Sequence, residues 1–407
     1  MLDVMKIRED FPILSNSDVC YFDSGATSLK PKAVIDAVTN FYTGYTANIH
    51  RGDYDTSVYV SNKYEETRNK VRNFINAQYA REIVFTAGAT ASLNMIAYGF
   101  GIDKLKKGDV ILLTKLEHAS SILPWYRVAE KTGAVIRFIP LNDDGSFDLK
   151  KYEECFKQND VKIVCLSFVS NVLGYVNPIK EICAIAHKYG AIVNVDGAQA
   201  VPHIKVDVQD LDVDLLSFSA HKMCGPSGLG ILYGKLSILD SMDPYMYGGG
   251  ANARFDSCGN ILLKKTPAKF EAGTPNVEGV LGLGAAIDYL QGIGMEAIAS
   301  YEHQLCGYLI EELKKLPNVE IYNPNGETSV VAFNIKGIFA QDAAAYFNRR
   351  KIAVRTGNHC AKILVDIIGV NETIRASLAF YNTREEVDHF ISVIKETTLE
   401  KCVEAVL

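Results

Sequence analysis

Seven short apolar runs recur between residues 81 and 235, and polar or helix-like segments separate them. The apolar residues in these runs are continuous rather than alternating, which is typical of strands buried on both faces of a sheet. Intervening segments such as 148–157 and 178–189 have the pattern of helices. This alternation predicts an α/β domain with a doubly wound, mainly parallel sheet. The predicted strands are 81–86, 110–114, 134–141, 161–170, 191–198, 215–221 and 230–235.

The pattern changes after the last of these runs. Gly, Pro and polar residues dominate 236–276, which we interpret as functional loops near a domain boundary. A second set of elements follows and predicts a smaller α+β domain, since a chain of 407 residues can form two cores. These elements are a helical stretch at about 278–316, strands at 319–323 and 329–335, and helices near 340–350 and 384–400. We assign 17–265 to the large domain, and 1–16 with 266–407 to the small one.

Net charge and hydropathy restrict the kinds of partner and cellular location that we expect for the chain. The net charge of −6 is mild and the Lys and Arg residues are scattered, so no nucleic-acid surface stands out and we expect a small-molecule substrate. No apolar run approaches the length of a membrane-spanning helix. The first residues, MLDVMKIREDFPIL, carry charges inside their apolar stretch, unlike a secretory signal. Both observations favour a cytoplasmic protein.

The nine cysteines form no C-x-x-C pair, so neither a zinc ribbon nor an iron–sulfur cluster motif is indicated. Most of them are expected to be free, buried thiols that pack as small apolar groups. His221 and Cys224 are spaced as a possible metal pair, but no second pair accompanies them, and we predict no metal site. One cysteine differs in context, because Cys360 lies beside a histidine in the irregular segment RTGNHCAKIL.

Three segments carry polar residues just after predicted strands, where ligands bind in open α/β sheets. The first is TAGATASLNMIA, in which Gly88 and small hydroxyl residues begin an amphipathic helix. The backbone N–H groups and the dipole of such a helix start suit a phosphate, and the Thr90 hydroxyl adds a donor. An ordinary capped turn is the alternative interpretation. The chain has neither a Walker A motif nor G-x-G-x-x-G, so those routes to nucleotide binding lack support.

The second and third segments supply an acid and an amine. Asp196 ends an apolar run, and Gln199 follows three residues later. A buried carboxylate there needs a cation or a donor, although a helix N-cap is an alternative role. In SFSAHKMCGPSGLG, a strand ends in Ser219, His221 and Lys222 before a glycine-rich turn. A lysine at the floor of a cleft has a lowered pKa and can form Schiff bases, whereas most lysines are solvated surface charges.

Together, the three segments form the set that pyridoxal phosphate requires. A helix start anchors its phosphate, a strand-end aspartate keeps its ring nitrogen protonated so that the ring is an electron sink, and a lysine holds it covalently. Thr90, Asp196 and Lys222 occur in that order, with the lysine 26 residues after the aspartate. The residues therefore predict a pyridoxal-phosphate enzyme.

The chain also resembles a known family over almost its whole length. Its motifs are similar to those of the class V aminotransferase group of fold-type I pyridoxal-phosphate enzymes, and within that group to SufS-type (group II) cysteine desulfurases. The motifs are YFDSGATSLKP (21–31), NIHRG (48–52), LEHASSILPW (116–125), SNVLG (170–174), VDGAQAVPH (195–203), SAHKMCGPSGLG (219–230), EAGTPN (271–276), RTGNHCA (355–361) and RASLAFYNT (375–383).

The resemblance implies a role for each of a set of site residues. The catalytic residues would be Cys360, Lys222 and His118. The cofactor would be held by Lys222, Asp196, Gln199, His118, Thr90, Ser219 and His221, with Thr274 reaching in from the second subunit of a homodimer. The substrate would be bound by Arg375, Asn171, His50 and Arg355, with Arg375 as a bidentate carboxylate clamp, and Arg51 would lie near the dimer contact.

The implied reaction removes sulfur from L-cysteine. Lys222 would take the α-proton, and the Cys360 thiolate would attack the substrate sulfur, which leaves a persulfide on the enzyme and releases alanine. The persulfide sulfur would then be used in iron–sulfur cluster assembly. A cysteine thiol is only a few per cent ionised at neutral pH, and we expect Arg355 and His359 to raise that fraction. Only 15 residues separate Cys360 from Arg375, and such a short loop implies a separate sulfur acceptor of the SufE or SufU type.

Two positions depart from the family pattern. Asn358 stands where SufS proteins usually have a histidine, so an acid–base role there is lost. Some SufS proteins that use a zinc-bearing acceptor have a histidine near the start of the helix before the cysteine loop, and this chain has Gln341 in that neighbourhood, which counts against that type of acceptor.

Other functions are compatible with the same residues. A selenocysteine lyase or a cysteine-sulfinate desulfinase would also release alanine, and a class V aminotransferase would leave Cys360 without a role. A catalytically silent protein of this fold would be colourless. The presence of Lys222, Asp196, His118 and Cys360 argues against that last class.

Overall fold

The computed structural model describes residues 2–50 and 52–407. Fifteen strands occur in these ranges. They are β1 Cys20–Tyr21, β2 Ile83–Thr86, β3 Val110–Leu113, β4 Val135–Phe138, β5 Val161–Ser167, β6 Ile192–Asp196, β7 Leu215–Ser219, β8 Gly230–Gly234, β9 Asn252–Phe255, β10 Ile261–Leu263, β11 Val319–Ile321, β12 Val330–Ile335, β13 Ile352–Ala353, β14 Arg355–Gly357 and β15 Thr373–Ser377.

The same ranges contain sixteen α-helices, joined by short 3₁₀ and π turns. They are α1 Val4–Glu9, α2 Pro12–Ser15, α3 Lys32–Gly44, α4 Asp55–Phe74, α5 Ala89–Ile96, α6 Ile102–Lys104, α7 Ala119–Thr132, α8 Leu149–Gln158, α9 Ile179–Lys188, α10 Leu236–Ser241, α11 Val277–Ile293, α12 Met295–Lys314, α13 Ala340–Arg349, α14 Val365–Ile368, α15 Arg384–Glu396 and α16 Leu399–Val406.

The seven predicted strands form one sheet, with the order β2-β8-β7-β6-β5-β3-β4. All neighbouring pairs from β7 to β4 are parallel, and β8 runs antiparallel to both β2 and β7. Alternate residues of these strands face opposite hydrophobic clusters: Val110 and Leu112 pack on one side, Ile111 and Leu113 on the other. This two-sided burial explains the continuous apolar runs, and the prediction of a mainly parallel sheet is confirmed.

A second sheet has the order β11-β12-β15-β14, with all neighbouring strands antiparallel. Helices α12, α13, α15 and α16 supply the residues that bury it. The predicted helical stretch 278–316 is two helices, because Gly294 has a φ of +97° and separates α11 from α12. The segment 236–276 is not all loop, since it contains α10 and the hairpin β9–β10.

The domain bounds remain a prediction, and the packing supports moving both boundaries between the large and the small domain. Cys20 and Phe22 belong to the cluster under the small sheet, together with residues of α12 and α15. Val277 and Leu290 of α11 belong instead to a cluster on the large sheet. We propose that the small domain includes the segment around Cys20 and that α11 is part of the large domain.

The carboxyl ends of the parallel strands place polar residues side by side. Ser167, Asp196 and Ser217 are register partners on β5, β6 and β7, and Ser219 ends β7. This edge of an open α/β sheet is where ligands bind. Within residues 2–50 and 52–407, no helix has the length and the apolar content needed to cross a membrane.

Candidate active site

A cavity of about 210 Å³ lies at the carboxyl edge of the large sheet, where β14 and β15 of the small sheet approach it. Eleven of the thirteen predicted site residues line this cavity. They are Thr90, His118, Asn171, Asp196, Gln199, Ser219, His221, Lys222, Arg355, Cys360 and Arg375. The structure therefore brings together residues that are up to 285 positions apart (375 − 90).

Lys222 and Asp196 face the same cavity from neighbouring strands. Lys222 ends a 3₁₀ turn directly after β7, and burial lowers the pKa of its amine to about 8 even though Asp196 opposes that shift. The buried Asp196 carboxylate accepts hydrogen bonds from Ser121 Oγ at 3.1 Å and from the Ala198 N–H at 3.0 Å. Asp196 is the last residue of β6 and does not cap a helix. An amine that is a good nucleophile thus lies opposite an anchored carboxylate.

The start of α5 forms one end of the cavity. Its N-cap, Gly88, has a φ of +149°, a conformation that L side chains rarely adopt. Ser219 Oγ accepts a hydrogen bond from the Ala89 N–H at 2.8 Å, which ties the helix start to the end of β7. Thr90 Oγ1 lies 2.8 Å from Ser120 Oγ. Hydroxyl groups and a helix N-terminus on one wall are suited to a phosphate group.

His118 is the N-cap of α7 and lines the cavity. Its Nδ1 accepts a hydrogen bond from the Ser120 N–H at 3.1 Å, so the proton of the neutral ring is assigned to Nε2. Burial, aided by the charge of Lys222, lowers the pKa of His118. The ring is therefore neutral at neutral pH. It presents a flat face and one N–H to the cavity.

Arg375 on β15 is buried and supplies a guanidinium group. Its Nη1 donates to the Asn171 carbonyl oxygen at 2.9 Å, and its Nη2 donates to Asp23 Oδ1 at 3.3 Å. Its Nε is buried without a hydrogen-bond partner in the described residues. Arg355 Nη1 lies 3.8 Å from the other oxygen of Asp23. Two arginines thus flank one carboxylate, and an unpaired donor remains available for a carboxylate ligand.

Cys360 is exposed at the mouth of the cavity. Its carbonyl oxygen accepts a hydrogen bond from the Ala119 N–H at 2.8 Å, and its own N–H donates to Asn358 Oδ1 at 3.2 Å. His359 and Cys360 have φ angles of +49° and +60°, which are strained for residues with side chains. The neighbouring Ala361 and Leu364 are buried. The thiol is accessible while its backbone is fixed on both sides.

The expectation that His359 helps to ionise Cys360 is wrong. Its Nε2 lies 2.9 Å from Thr373 Oγ1, and burial together with the charge of Arg375 lowers its pKa to about 3. The ring is therefore neutral and offers no positive charge. Lys222 and Arg375 both interact electrostatically with the Cys360 side chain.

His50 and Thr274 do not line this cavity. Both line a second cavity of about 440 Å³, which also contains Glu65, Arg68 and Glu271. In a single chain, His50 therefore does not share the pocket of Asn171, and its role in binding the substrate stays a prediction. Arg51 lies outside the described residues.

Comparison with known proteins identifies the family. The model of the family described as aminotransferase class V matches residues 20–390. The chain belongs to this family. A relative from Halalkalibacterium halodurans named probable cysteine desulfurase is 42% identical and covers 97% of this chain and 98% of its own, and a cysteine desulfurase of Haloferax volcanii is 41% identical with 97% and 96% covered.

Solved structures of class V relatives share the fold. The apo structure of a cysteine desulfurase from Thermococcus onnurineus has a TM-score of 0.93 and 40% identity, and covers 97% of this chain and 98% of its own. The Escherichia coli cysteine desulfurase CsdA has a TM-score of 0.92 and 35% identity, with 99% of both chains covered. The predicted fold-type I architecture is confirmed.

The residues present fit pyridoxal phosphate, the cofactor expected of a class V enzyme. Lys222 is a cavity amine with a lowered pKa, Asp196 is an anchored carboxylate, and hydroxyl groups surround the start of α5. Gln199 Oε1 is buried without a hydrogen-bond partner in the described residues, while its Nε2 donates to the Gly25 carbonyl oxygen at 2.8 Å. Such an orphaned polar group at a cavity wall is satisfied when a ligand binds.

Sequence reasoning did not single out four residues that shape the site. Ser120 forms hydrogen bonds with Thr90 and His118, and Ser121 forms one with Asp196. Asp23 forms an ion pair with the Arg375 guanidinium. Glu117, the residue before His118, is buried, and burial raises its pKa to about 8, so it is neutral at neutral pH. All four lie inside motifs that carry the family resemblance. Their location in those motifs is the sequence feature that could have identified them as site residues.

Asn358→Ala should slow the step that depends on Cys360. The Asn358 carboxamide oxygen accepts a hydrogen bond from the N–H of Cys360 inside a strained turn, and losing one such hydrogen bond costs about 1 kcal/mol. We expect persulfide formation with L-cysteine to fall about fivefold, with the visible spectrum of the cofactor unchanged. Stopped-flow or quench measurements of persulfide formation would check this. Asn358→Asp keeps the acceptor oxygen and is the control; equal rates for all three proteins would contradict the role of this hydrogen bond.

Proposed function

We propose that this class V enzyme is a cysteine desulfurase that transfers sulfur from L-cysteine to Cys360. The observation that carries the proposal is the location of an exposed thiol in the same cavity as Lys222, Asp196 and the Arg375 guanidinium. A transaminase needs the last three groups but has no use for the thiol. Relatives of nearly equal length that carry the name cysteine desulfurase support the same activity.

The chain supplies groups for each end of pyridoxal phosphate. Lys222 would hold the aldehyde carbon, Asp196 the ring nitrogen, and Thr90, Ser219 and His221 the phosphate, with the flat His118 ring over the cofactor and Gln199 beside its phenolic oxygen. When bound, pyridoxal phosphate supplies an electron sink for the substrate's α-carbon. Because the pKa of Lys222 is about 8, its amine exchanges protons readily near neutral pH.

The substrate is oriented by its carboxylate. Arg375 would bind that group through Nη2 and the unpaired Nε, while Asn171 fixes the guanidinium from behind through its carbonyl oxygen. Asn171 Nδ2 also donates to the His359 carbonyl oxygen at 2.8 Å. One residue thus links the carboxylate clamp to the Cys360 loop. This link keeps the attacking sulfur at a fixed position relative to the bound substrate.

Sulfur transfer is a balanced exchange. The Cys360 thiolate attacks the substrate sulfur, an S–S bond forms, and the C–S bond breaks with its electron pair left on carbon. Lys222 delivers one proton, and a second comes from the thiol that formed the Cys360 thiolate; together they complete L-alanine. L-cysteine and an enzyme thiol thereby become L-alanine and an enzyme persulfide, with no external oxidant required.

The persulfide must then leave on another protein. Cys360 is exposed, but its loop is short and is fixed by buried neighbours and by the bond to Ala119, so it cannot travel far. An acceptor of the SufE or SufU type that comes to the cavity mouth suits this geometry. We propose further that the chain belongs to the SufS-type group and acts in iron–sulfur cluster assembly in the cytoplasm; the short, anchored loop supports the first of these assignments.

The chain is further proposed to act as a homodimer. Thr274 and His50 line the second cavity rather than the first, and this separation is compatible with their completing the site of a partner subunit. We propose no nucleic-acid or membrane partner, because the groups that carry the chemistry line a cavity of small-molecule size.

The loaded chain, given L-cysteine and a thiol reductant, should release alanine and sulfide in equal amounts. Chromatography of amino acids and a sulfide assay would measure both products. L-selenocysteine and L-cysteine sulfinate in parallel would rank the alternative substrates by kcat/KM. A 2-oxo acid as the main product from L-cysteine would contradict the proposal and favour an aminotransferase.

A further inference from the structure

The carbonyl oxygen of His221 accepts hydrogen bonds from four donors in residues 27–30. Lys30 Nζ donates at 2.9 Å, Thr27 Oγ1 at 3.0 Å, the Ser28 N–H at 3.0 Å and Ser28 Oγ at 3.1 Å. A carbonyl oxygen has two lone pairs, so this one is unusually heavily coordinated. The peptide bond that it belongs to joins His221 to Lys222. The backbone of the cavity lysine is therefore held by a segment nearly 200 residues away in sequence (222 − 28 = 194).

The same segment holds the other side of the turn. Ser28 Oγ accepts a hydrogen bond from the Cys224 N–H at 2.7 Å, and Cys224 has a φ of +64°. Lys222 thus lies between two anchored peptide groups. No hydrogen bond or ion pair of its own amine exists within the described residues, so the position of that amine depends on how the backbone is held.

Lys30 is an unusual donor for this task. Its amine also donates to Thr27 Oγ1 at 3.3 Å and to the Ser28 carbonyl oxygen, and among residues 2–50 and 52–407 no carboxylate lies within ion-pairing distance. Burial lowers its pKa to about 8. The Lys30 cation is partly buried and is held by hydrogen-bond acceptors alone, without an opposite charge, an arrangement that costs free energy.

We propose that Lys30 is a positioning residue for Lys222, acting by fixing the His221–Lys222 peptide. This inference rests on the proposed function of Lys222. The amine must reach both the cofactor and the substrate α-proton, and a displacement of about 1 Å can cost about 100-fold in rate. Thr27 and Ser28 complete the same clamp with neutral donors.

The test compares Lys30→Met with Lys32→Met in the loaded, full-length enzyme. Lys32 is exposed and bonds to Asp36, so its variant controls for the loss of a nearby lysine. We expect Lys30→Met to lower kcat about 10- to 100-fold with little change in KM for L-cysteine, because the Arg375 clamp is untouched. Lys30→Arg keeps N–H donors at this position and should restore part of kcat.

Titration of the visible absorbance gives a readout independent of turnover. A displaced Lys222 nitrogen would lie differently relative to the titratable groups that face it, so Lys30→Met should shift the absorbance titration of the loaded enzyme. These groups are Asp196, Arg375, Arg355 and Cys360. Thr27→Val, which removes one donor and no charge, should lower kcat with a smaller shift in the titration.

Each outcome separates the possibilities. Lower kcat with a shifted titration supports the inference. If Lys30→Met lowers only the melting temperature, or behaves as Lys32→Met does, the inference is wrong. If Lys30→Met does not fold, the test rests on Lys30→Arg and Thr27→Val. Unchanged kcat and an unchanged titration in both of these variants would overturn the inference. A wild-type chain that releases no alanine would contradict the proposed function instead.

Discussion

Cys360→Ala is expected to abolish persulfide formation while the enzyme keeps its cofactor and its colour. The proposed reaction has one nucleophile for the substrate sulfur, so alanine release from L-cysteine should fall by roughly 100-fold or more. The cofactor is unaffected because Cys360 is bound to the cavity wall through its backbone, and an alanine keeps those bonds. Mass spectrometry of the trapped persulfide and the visible spectrum would measure the two effects.

The other cysteines provide an internal control. Cys258 is also exposed, but it lies between the strands of the β9–β10 hairpin and does not line the cavity. Cys258→Ala should therefore form the persulfide at the wild-type rate. A persulfide in the Cys360→Ala protein, or undiminished sulfide release, would show that another group attacks the substrate.

The sequence predicts the large sheet well because its signal is local. The inner strands of this sheet are mainly apolar, and burial on both faces requires that pattern, whereas the edge strand β4 is partly exposed. Asp196 and Lys222 could be predicted for the same reason, since each directly follows such a run. Cys360 is different. Its local context marks a loop thiol, and only the family resemblance supplies its target.

The errors arise where tertiary structure decides. His359 is next to Cys360 in sequence, but its ring bonds to Thr373 and its burial keeps it neutral, which no local pattern shows. The position of His50 is also decided by the fold, which places it with Thr274 in another cavity of the single chain, so its predicted role stays a prediction. The Lys30 clamp joins two motifs that are far apart in sequence, and their contact exists only in the folded chain.

Lys222→Met is expected to remove turnover by roughly 1,000-fold and to leave the cofactor held without a covalent bond. A positioned proton-transfer group alone contributes about 100- to 10,000-fold, and Lys222 is also the residue that would capture the cofactor. The cofactor should then wash out on gel filtration, and borohydride should no longer fix it to the protein. Lys362→Met, at an exposed lysine two residues after Cys360, is the control and should retain both.

The same substitution should change how the stability of the cofactor-free chain depends on pH. Burial lowers the pKa of Lys222 from 10.5 to about 8, so between these values the unfolded chain binds more protons than the folded chain. The contribution of this group to the free energy of unfolding therefore rises with pH across that window. Lys222→Met removes the buried charge, so the variant should be more stable than the wild type at pH 7, and the difference should shrink as the pH approaches 10. Urea unfolding at both pH values would measure it; a pH-independent difference would mean that the amine is not desolvated, and would weaken its role as a proton carrier near neutral pH.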